Sequence, residues 1–170
     1  CSRMRLIKFI FFVFLVFALT SCDENAENSK EQKLSKNLQK NITKKNYDLC
    51  LENADIGNFK RDGDFDGIKV EKINIFKAKQ YCNEAYKEFP NDIKILRSLA
   101  RIYHKEEQFK NSLELFRKSS DLSDGYSDWM LSEAYFSGDG VQKDYVQALK
   151  YILKSVDKDF IWAIEKIGEY

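Results

Sequence analysis

The run Asp62-Gly63-Asp64-Phe65-Asp66-Gly67 opens like a twelve-residue calcium loop. Alternating carboxylates would supply hard oxygen ligands, and the glycine a sharp turn between them. The twelfth position should hold a bidentate glutamate. Here it holds Ile73, and the nearest acid is Glu71. Without that ligand calcium binding is weak, so the run reads as a solvated acidic turn and no metal is expected. Ser155-Val156-Asp157-Lys158 has S-x-x-K spacing, which sets a lysine amine near a serine hydroxyl for acyl transfer. Neither S-D-N nor K-T-G accompanies it. A nucleophile needs a base and an oxyanion hole together, and neither is legible, so no catalytic residue and no cofactor are expected. Cys50 and Cys82 form either a disulfide or two buried thiols. They offer no CxxC, and the single histidine, His104, lies elsewhere. Asn41-Ile42-Thr43 matches a glycosylation acceptor and is assigned no role.

The elements that must position these groups are helices. Trp129 to Asp159 reads as two amphipathic helices joined by a glycine turn. Leu131 and Tyr135 share a face of the first helix; Ala148, Tyr151 and Ile152 share a face of the second. Gly138 and Gly140 bracket Asp139 where the backbone must turn sharply. Val141 follows as a lone apolar residue free to plug between the helices, and Asp144 stands where an N-cap belongs. The positions Leu131, Tyr135, Gly138, Gly140, Val141, Asp144 and Ala148 resemble the Sel1-like repeat, a longer relative of the tetratricopeptide repeat. Ser132 stands where the family has glycine and Tyr151 where it has tryptophan. Ser155 and Val156 replace the usual alanine pair, predicting bulkier packing against the next unit. The resemblance implies an all-α solenoid that serves as a binding scaffold, with no reactive group of its own.

Composition agrees with a helical chain. Charged residues are 32% and aromatics 14%, which suits an ordered domain, while one proline and seven glycines argue against many β-turns. Met4 to Cys22 begins with Arg5 and Lys8, continues through the apolar run Phe9 to Leu19, and ends Leu19-Thr20-Ser21-Cys22. The apolar run is too short for a comfortable membrane span and right for a signal peptide. The ending resembles a bacterial lipobox, which implies cleavage before Cys22 and a lipid on that cysteine. Asp23 resembles an inner-membrane retention signal. Residues 1–21 are thus expected to be a lipoprotein signal peptide, with Cys1 to Arg3 preceding Met4, a natural start. Setting those residues aside removes Arg3, Arg5 and Lys8 and no acid. The remaining 25 basic residues face 27 acidic ones, a charge of −2 with no footprint for nucleic acid.

Residues 22–46 follow as the lipidated cysteine and a polar tether, too poor in apolar residues to build a core. As a coil the tether would span roughly 25–30 Å. Residues 47–92 form a helical block holding Cys50 and Cys82. An oxidising compartment beyond the inner membrane favours their pairing, and some bacterial Sel1-like proteins carry a similar cysteine-paired block. Ile73 to Phe89 is a predicted helix with Ala78, Cys82 and Ala85 on its buried face, stopped by Pro90. Helices over Ile93 to His104 and Phe109 to Leu122 come next.

Residues 93–170 carry the repeats. Leu99-Ala100 with Tyr103 recurs as Leu131-Ser132 with Tyr135 and again as Ile167-Gly168, at spacings of 32 and 36. Ser112 to Leu131 and Ala148 to Ile167 are both 19, so the extra four residues fall at the Gly138–Val141 turn. The first unit is therefore tetratricopeptide-like, with Leu96, Leu99, Tyr103, Ser112 and Phe116 carrying its pattern. The last stretch, through Ile161, Trp162 and Ile164 to Tyr170, is either a cap or an incomplete unit.

In tetratricopeptide folds the first helix of each unit lines the concave face. That implies a partner groove from Lys94, Arg97, Arg101, His104 and Lys105 in the first unit and from Trp129, Glu133 and Phe136 in the second. Trp162, Glu165 and Glu169 come from the terminal helix. Arg97 and Arg101 lie four apart, opposite Leu99 and Tyr103, and are expected to be free to hold the acidic end of an extended segment. The function implied is a non-enzymatic protein-interaction adaptor. It would be lipid-anchored in the bacterial cell envelope, on the periplasmic face of the inner membrane, with an envelope protein or peptide as partner. A β-lactamase-like envelope enzyme and a soluble exported effector are the alternatives.

Overall fold

Helices account for every regular element among the described residues. The computed structural model describes residues 2–57 and 67–169, with side chains described over 28–57 and 67–168. The acidic run therefore lies outside the described residues except for Gly67, as does the side chain of Cys22. Seven α-helices follow in order: α1 (Ser2–Ala54), α2 (Ile75–Glu88), α3 (Ile93–Lys105), α4 (Phe109–Asp121), α5 (Gly125–Ser137), α6 (Tyr145–Val156) and α7 (Ile161–Lys166). Short 3-10 turns occupy Val70–Lys72 and Ile167–Glu169. Two compact units are distinguished, Cys1–Ile42 and Thr43–Tyr170.

In the first unit the expected coil is helical. No glycine or proline occurs from Ser2 to Ala54, and Lys, Glu, Gln and Leu, all strong helix formers, make up 13 of the 24 residues from Asp23 to Asn46. Residues 28–42 are exposed throughout, and Leu34 keeps 70% of its surface in water. Helix propensity decided its conformation.

The second unit holds the core. Its first element is the end of α1, where Cys50 and Ala54 are buried and Tyr47 and Leu51 pack beside them, one helical face. Cys50 is disulfide-bonded to Cys82 of α2, with Cα atoms 4.6 Å apart. Asn74 caps α2 by accepting from the Lys77 N–H, and the buried residues of α2 are Ala78, Cys82 and Ala85. The helix ends one residue before Phe89, whose successor Pro90 cannot extend the ladder.

The helix pairs α3–α4 and α5–α6 each close through a small residue and a hydroxyl. Ser112 Oγ donates to Ala100 O at 2.8 Å, and Ser132 Oγ donates to Ala148 O at 2.8 Å. The serine sits on the second helix in one pair and on the first helix in the other. Ser132, in place of the family glycine, thus spends its hydroxyl on the partner helix rather than leaving a buried donor unmet. Tyr151, in place of tryptophan, stacks on Tyr135 at 5.7 Å and an interplanar angle of 9°. Ser155 Oγ donates to Gly125 O at 2.7 Å.

Asp144 caps α6 by accepting from the Val146 and Gln147 N–H groups, and Asp124 caps α5 through the Ser127 N–H. Gly138 and Gly140 both take positive φ, 88° and 72°. Val141 is half-buried against the core. Helix α3 sits innermost: every residue from Ile95 to Ile102 is buried. Among the described residues no helix is long and apolar enough to cross a membrane.

Candidate functional site: an aromatic groove

The first helices of successive pairs, α3, α5 and α7, border a cavity of about 460 Å³. Arg101 and His104 reach it from α3. Tyr126, Trp129, Met130, Glu133 and Ser137 reach it from α5, Asp139 from the following turn, and Trp162 from α7. The remaining wall is Ile56, Lys69, Val70 and Glu71 from the disulfide-bonded block.

Its floor is aromatic. Trp129 and Trp162 meet edge to face at 5.2 Å, and Tyr126 lies 5.7 Å from Trp129. Phe160 stands behind all three, 5.8 Å from each tryptophan and 5.9 Å from Tyr126. Burial raises the Tyr126 pKa above its ordinary value, so the phenol is neutral at physiological pH. The indole Nε1 of Trp129 is buried with no hydrogen-bond acceptor among the described residues.

His104 stands at the rim, edge-on to Phe109 at 5.5 Å. Burial lowers its pKa below the ordinary 6.5, with Asp139 opposing the shift. At neutral pH it is an uncharged imidazole.

Five of the eleven groove residues read from sequence line this cavity: Arg101, His104, Trp129, Glu133 and Trp162. Lys94 is exposed on α3 and lines no part of the cavity. Lys105 donates to the Glu71 and Ile73 carbonyls, both at 2.8 Å, and pins the 3-10 turn to the end of α3.

The arginines require a correction. Arg97 and Arg101 are not free; they keep 8% and 2% of their surface. Arg97 donates to Asp55 Oδ1 at 3.0 Å and to Asp124 Oδ1 at 3.4 Å. Arg101 donates to Ala54 O at 2.6 Å and to Ile68 O. Ala54 is the last residue of α1, whose final carbonyls have no partner within the helix. Arg101 therefore caps that helix from across the core with Nη1 and holds the Ile68 carbonyl with Nη2. Reversing the charge of this pair would test folding, not binding.

Other reactive candidates resolve into structure. Ser155 binds the Gly125 carbonyl, and Lys158 pairs with the fully buried Asp128, which also accepts from Ser120 at 2.5 Å. The serine hydroxyl and the lysine amine thus face different partners. Among the described residues no cluster of three His, Cys, Asp or Glu could hold a metal.

The wall formed by Ile56 and residues 69–71 was not legible in the sequence. Gly67 packs so closely on the Ile56 and Gly57 backbone that a Cβ would collide with main-chain atoms. The Ile68 N–H donates to Asp55 O at 2.8 Å beside it.

No family model matches the sequence, and no curated protein matches it. Solved structures do. One is a Sel1 repeat protein from Oxalobacter formigenes, 21% identical, with a TM-score of 0.51 over 57% of this chain and 40% of that one. Another is a protective antigen present in uropathogenic Escherichia coli strains and displaying an SLR fold. It is 23% identical, with a TM-score of 0.49 over 55% of this chain and 20% of that one. The chain therefore spans less than half the length of either. With its paired helices, its glycine turn at 138–140 and the likeness to the Oxalobacter protein, this chain has the fold of the Sel1-like repeats.

Proposed function

We propose that the chain is a non-enzymatic adaptor whose groove between α3, α5 and α7 holds a segment of a partner protein. One observation carries this reading: three successive first helices and the disulfide-bonded block converge on a single cavity that contains both tryptophans of the chain. Repeat scaffolds present such rows because each unit adds a helix to the same face. Aromatic side chains supply much of the binding energy at protein interfaces. The commitment of Ser155 and Lys158 to internal partners supports a role without catalysis.

The same proposal places the protein in a bacterial cell envelope, held to the periplasmic face of the inner membrane by a lipid on Cys22. Its support is the order of Met4 to Cys22, a basic start, an apolar run and small residues before the cysteine. Cys22→Ala should abolish metabolic lipid labelling and leave an uncleaved precursor; normal processing of that variant ends the lipid-anchor reading. For the groove, a photo-crosslinking amino acid at Ser137, exposed on the rim, should capture discrete envelope proteins in intact cells. Trp162→Ala should remove those crosslinks. Crosslinks that survive Trp162→Ala, or that arise equally from position Phe76 on α2, place binding elsewhere.

A further inference from the structure

The burial of the arginines removes their guanidinium forks from the reach of a ligand in the groove. With Arg101 enclosed and its terminal nitrogens held by the Ala54 and Ile68 carbonyls, the charged side chains a ligand can reach are Glu71, Glu133 and Asp139 against Lys69 and Lys166, which lies 3.8 Å from Glu133. His104 adds none at neutral pH. Beneath the rim lie the rings of Trp129, Trp162 and Tyr126, whose π-systems carry negative potential on their faces. A carboxylate entering here would meet three acids and aromatic faces and would find no open guanidinium fork. A cation would meet complementary charge at the rim and a ring face within cation–π reach. The cavity, about 460 Å³, has the size of a pocket for one or two side chains rather than a shallow surface.

Resting on the adaptor reading above, we propose that the groove selects a partner segment that inserts an apolar or aromatic side chain flanked by lysine or arginine. The inserted side chain packs on Trp129 and Trp162. The flanking cations face Glu133 and Asp139 on one side and Glu71 on the other. Glu133 already lies 3.8 Å from Lys166, so an incoming cation displaces a lysine from a half-exposed ion pair that costs little to break.

Both tryptophans of the chain border this cavity, so their indole N–H signals in NMR report on it without interference. The test uses the full chain and two capped peptides, each with one phenylalanine flanked on both sides by lysines or by glutamates. The lysine peptide should shift both indole signals and bind about tenfold more tightly than the glutamate peptide at low salt, with the gap closing as salt rises. The variant Glu133→Gln with Asp139→Asn should lose most of that preference while keeping its helical circular dichroism. Lys166→Gln should strengthen the lysine peptide. Equal or tighter binding of the glutamate peptide overturns the charge selection and leaves the groove standing. If neither peptide moves the indole signals at millimolar concentration, the groove itself is not the binding site.

Discussion

Arg97 and Arg101 carry positive charge in the middle of the core because each has something to neutralise or cap. Arg97 bridges two carboxylates, Asp55 just after α1 and Asp124 at the start of α5. Replacing it with methionine leaves both acids buried and uncompensated. Arg97→Met should therefore cost roughly 3–5 kcal/mol in urea unfolding. Arg97→Lys should recover only part of that, since a point charge cannot span two acceptors as the guanidinium fork does. His104 gives a second residue-scale test. Its folded pKa lies below 6.5 because burial disfavours the imidazolium. Below pH 6.5 the unfolded chain binds more protons than the folded one. The stabilisation is thus complete above the unfolded pKa and is lost as pH falls through the folded value. As the chain's single histidine, its imidazole resonances titrate without overlap. A midpoint at or above 6.5 would contradict the burial seen here.

At the scale of elements, the turn between α5 and α6 is held by Gly140 more than by Gly138. Both have positive φ, but a Cβ on Gly140 would meet Phe109 Cβ at 2.7 Å, whereas one on Gly138 meets the flexible Lys143 side chain at 2.8 Å. Gly140→Val should lose roughly 1–3 kcal/mol and disturb the Tyr135–Tyr151 stack. Gly138→Asn should cost less, because asparagine tolerates left-handed backbone. An unchanged melting temperature in the Gly140 variant would mean that α4 withdraws to make room. Helix α1 shows the opposite case. Residues 28–42 are exposed, and isolated helices without tertiary packing are marginal in water. Their amides should exchange with solvent far faster than those of Ile95–Ile102 in α3, the most enclosed segment.

For the whole molecule, Arg97, Arg101 and Lys105 of α3 attach the N-terminal block to the repeats, while the Cys50–Cys82 bond and the close seat of Gly67 on Ile56 and Gly57 hold the block itself together. The disulfide joins residues 32 apart and should stabilise the second unit by about 3–4 kcal/mol in the chain-entropy picture. Reduction should lower stability by that amount. It should also loosen the wall formed by Ile56 and residues 69–71, shifting the indole signals of Trp129 and Trp162 before global unfolding. A reduced protein with unchanged indole signals would show that Arg97, Arg101 and Lys105 hold the wall unaided.

The sequence by itself determined what depends on neighbours along the chain. Alternation at three and four residues placed the helices, and Ala78, Cys82 and Ala85 were recognisable as the inner face of α2. The caps at Asp144 and the paired glycines follow from the same short-range rules. The tether failed that test only because low apolar content was read as coil, while its helix formers pointed the other way. What the tertiary structure alone decided is which helix faces stay in water. Four-residue spacing correctly set Arg97 and Arg101 on one side of α3. It could not show that Asp55, Ala54 and Ile68, partners 42, 47 and 33 residues away, would close over that side. The terminal carbonyl of α1 needed a donor and Asp55 needed a cation. Only the folding of the block onto α3 brought those needs to the arginines, leaving the groove to its tryptophans and acids.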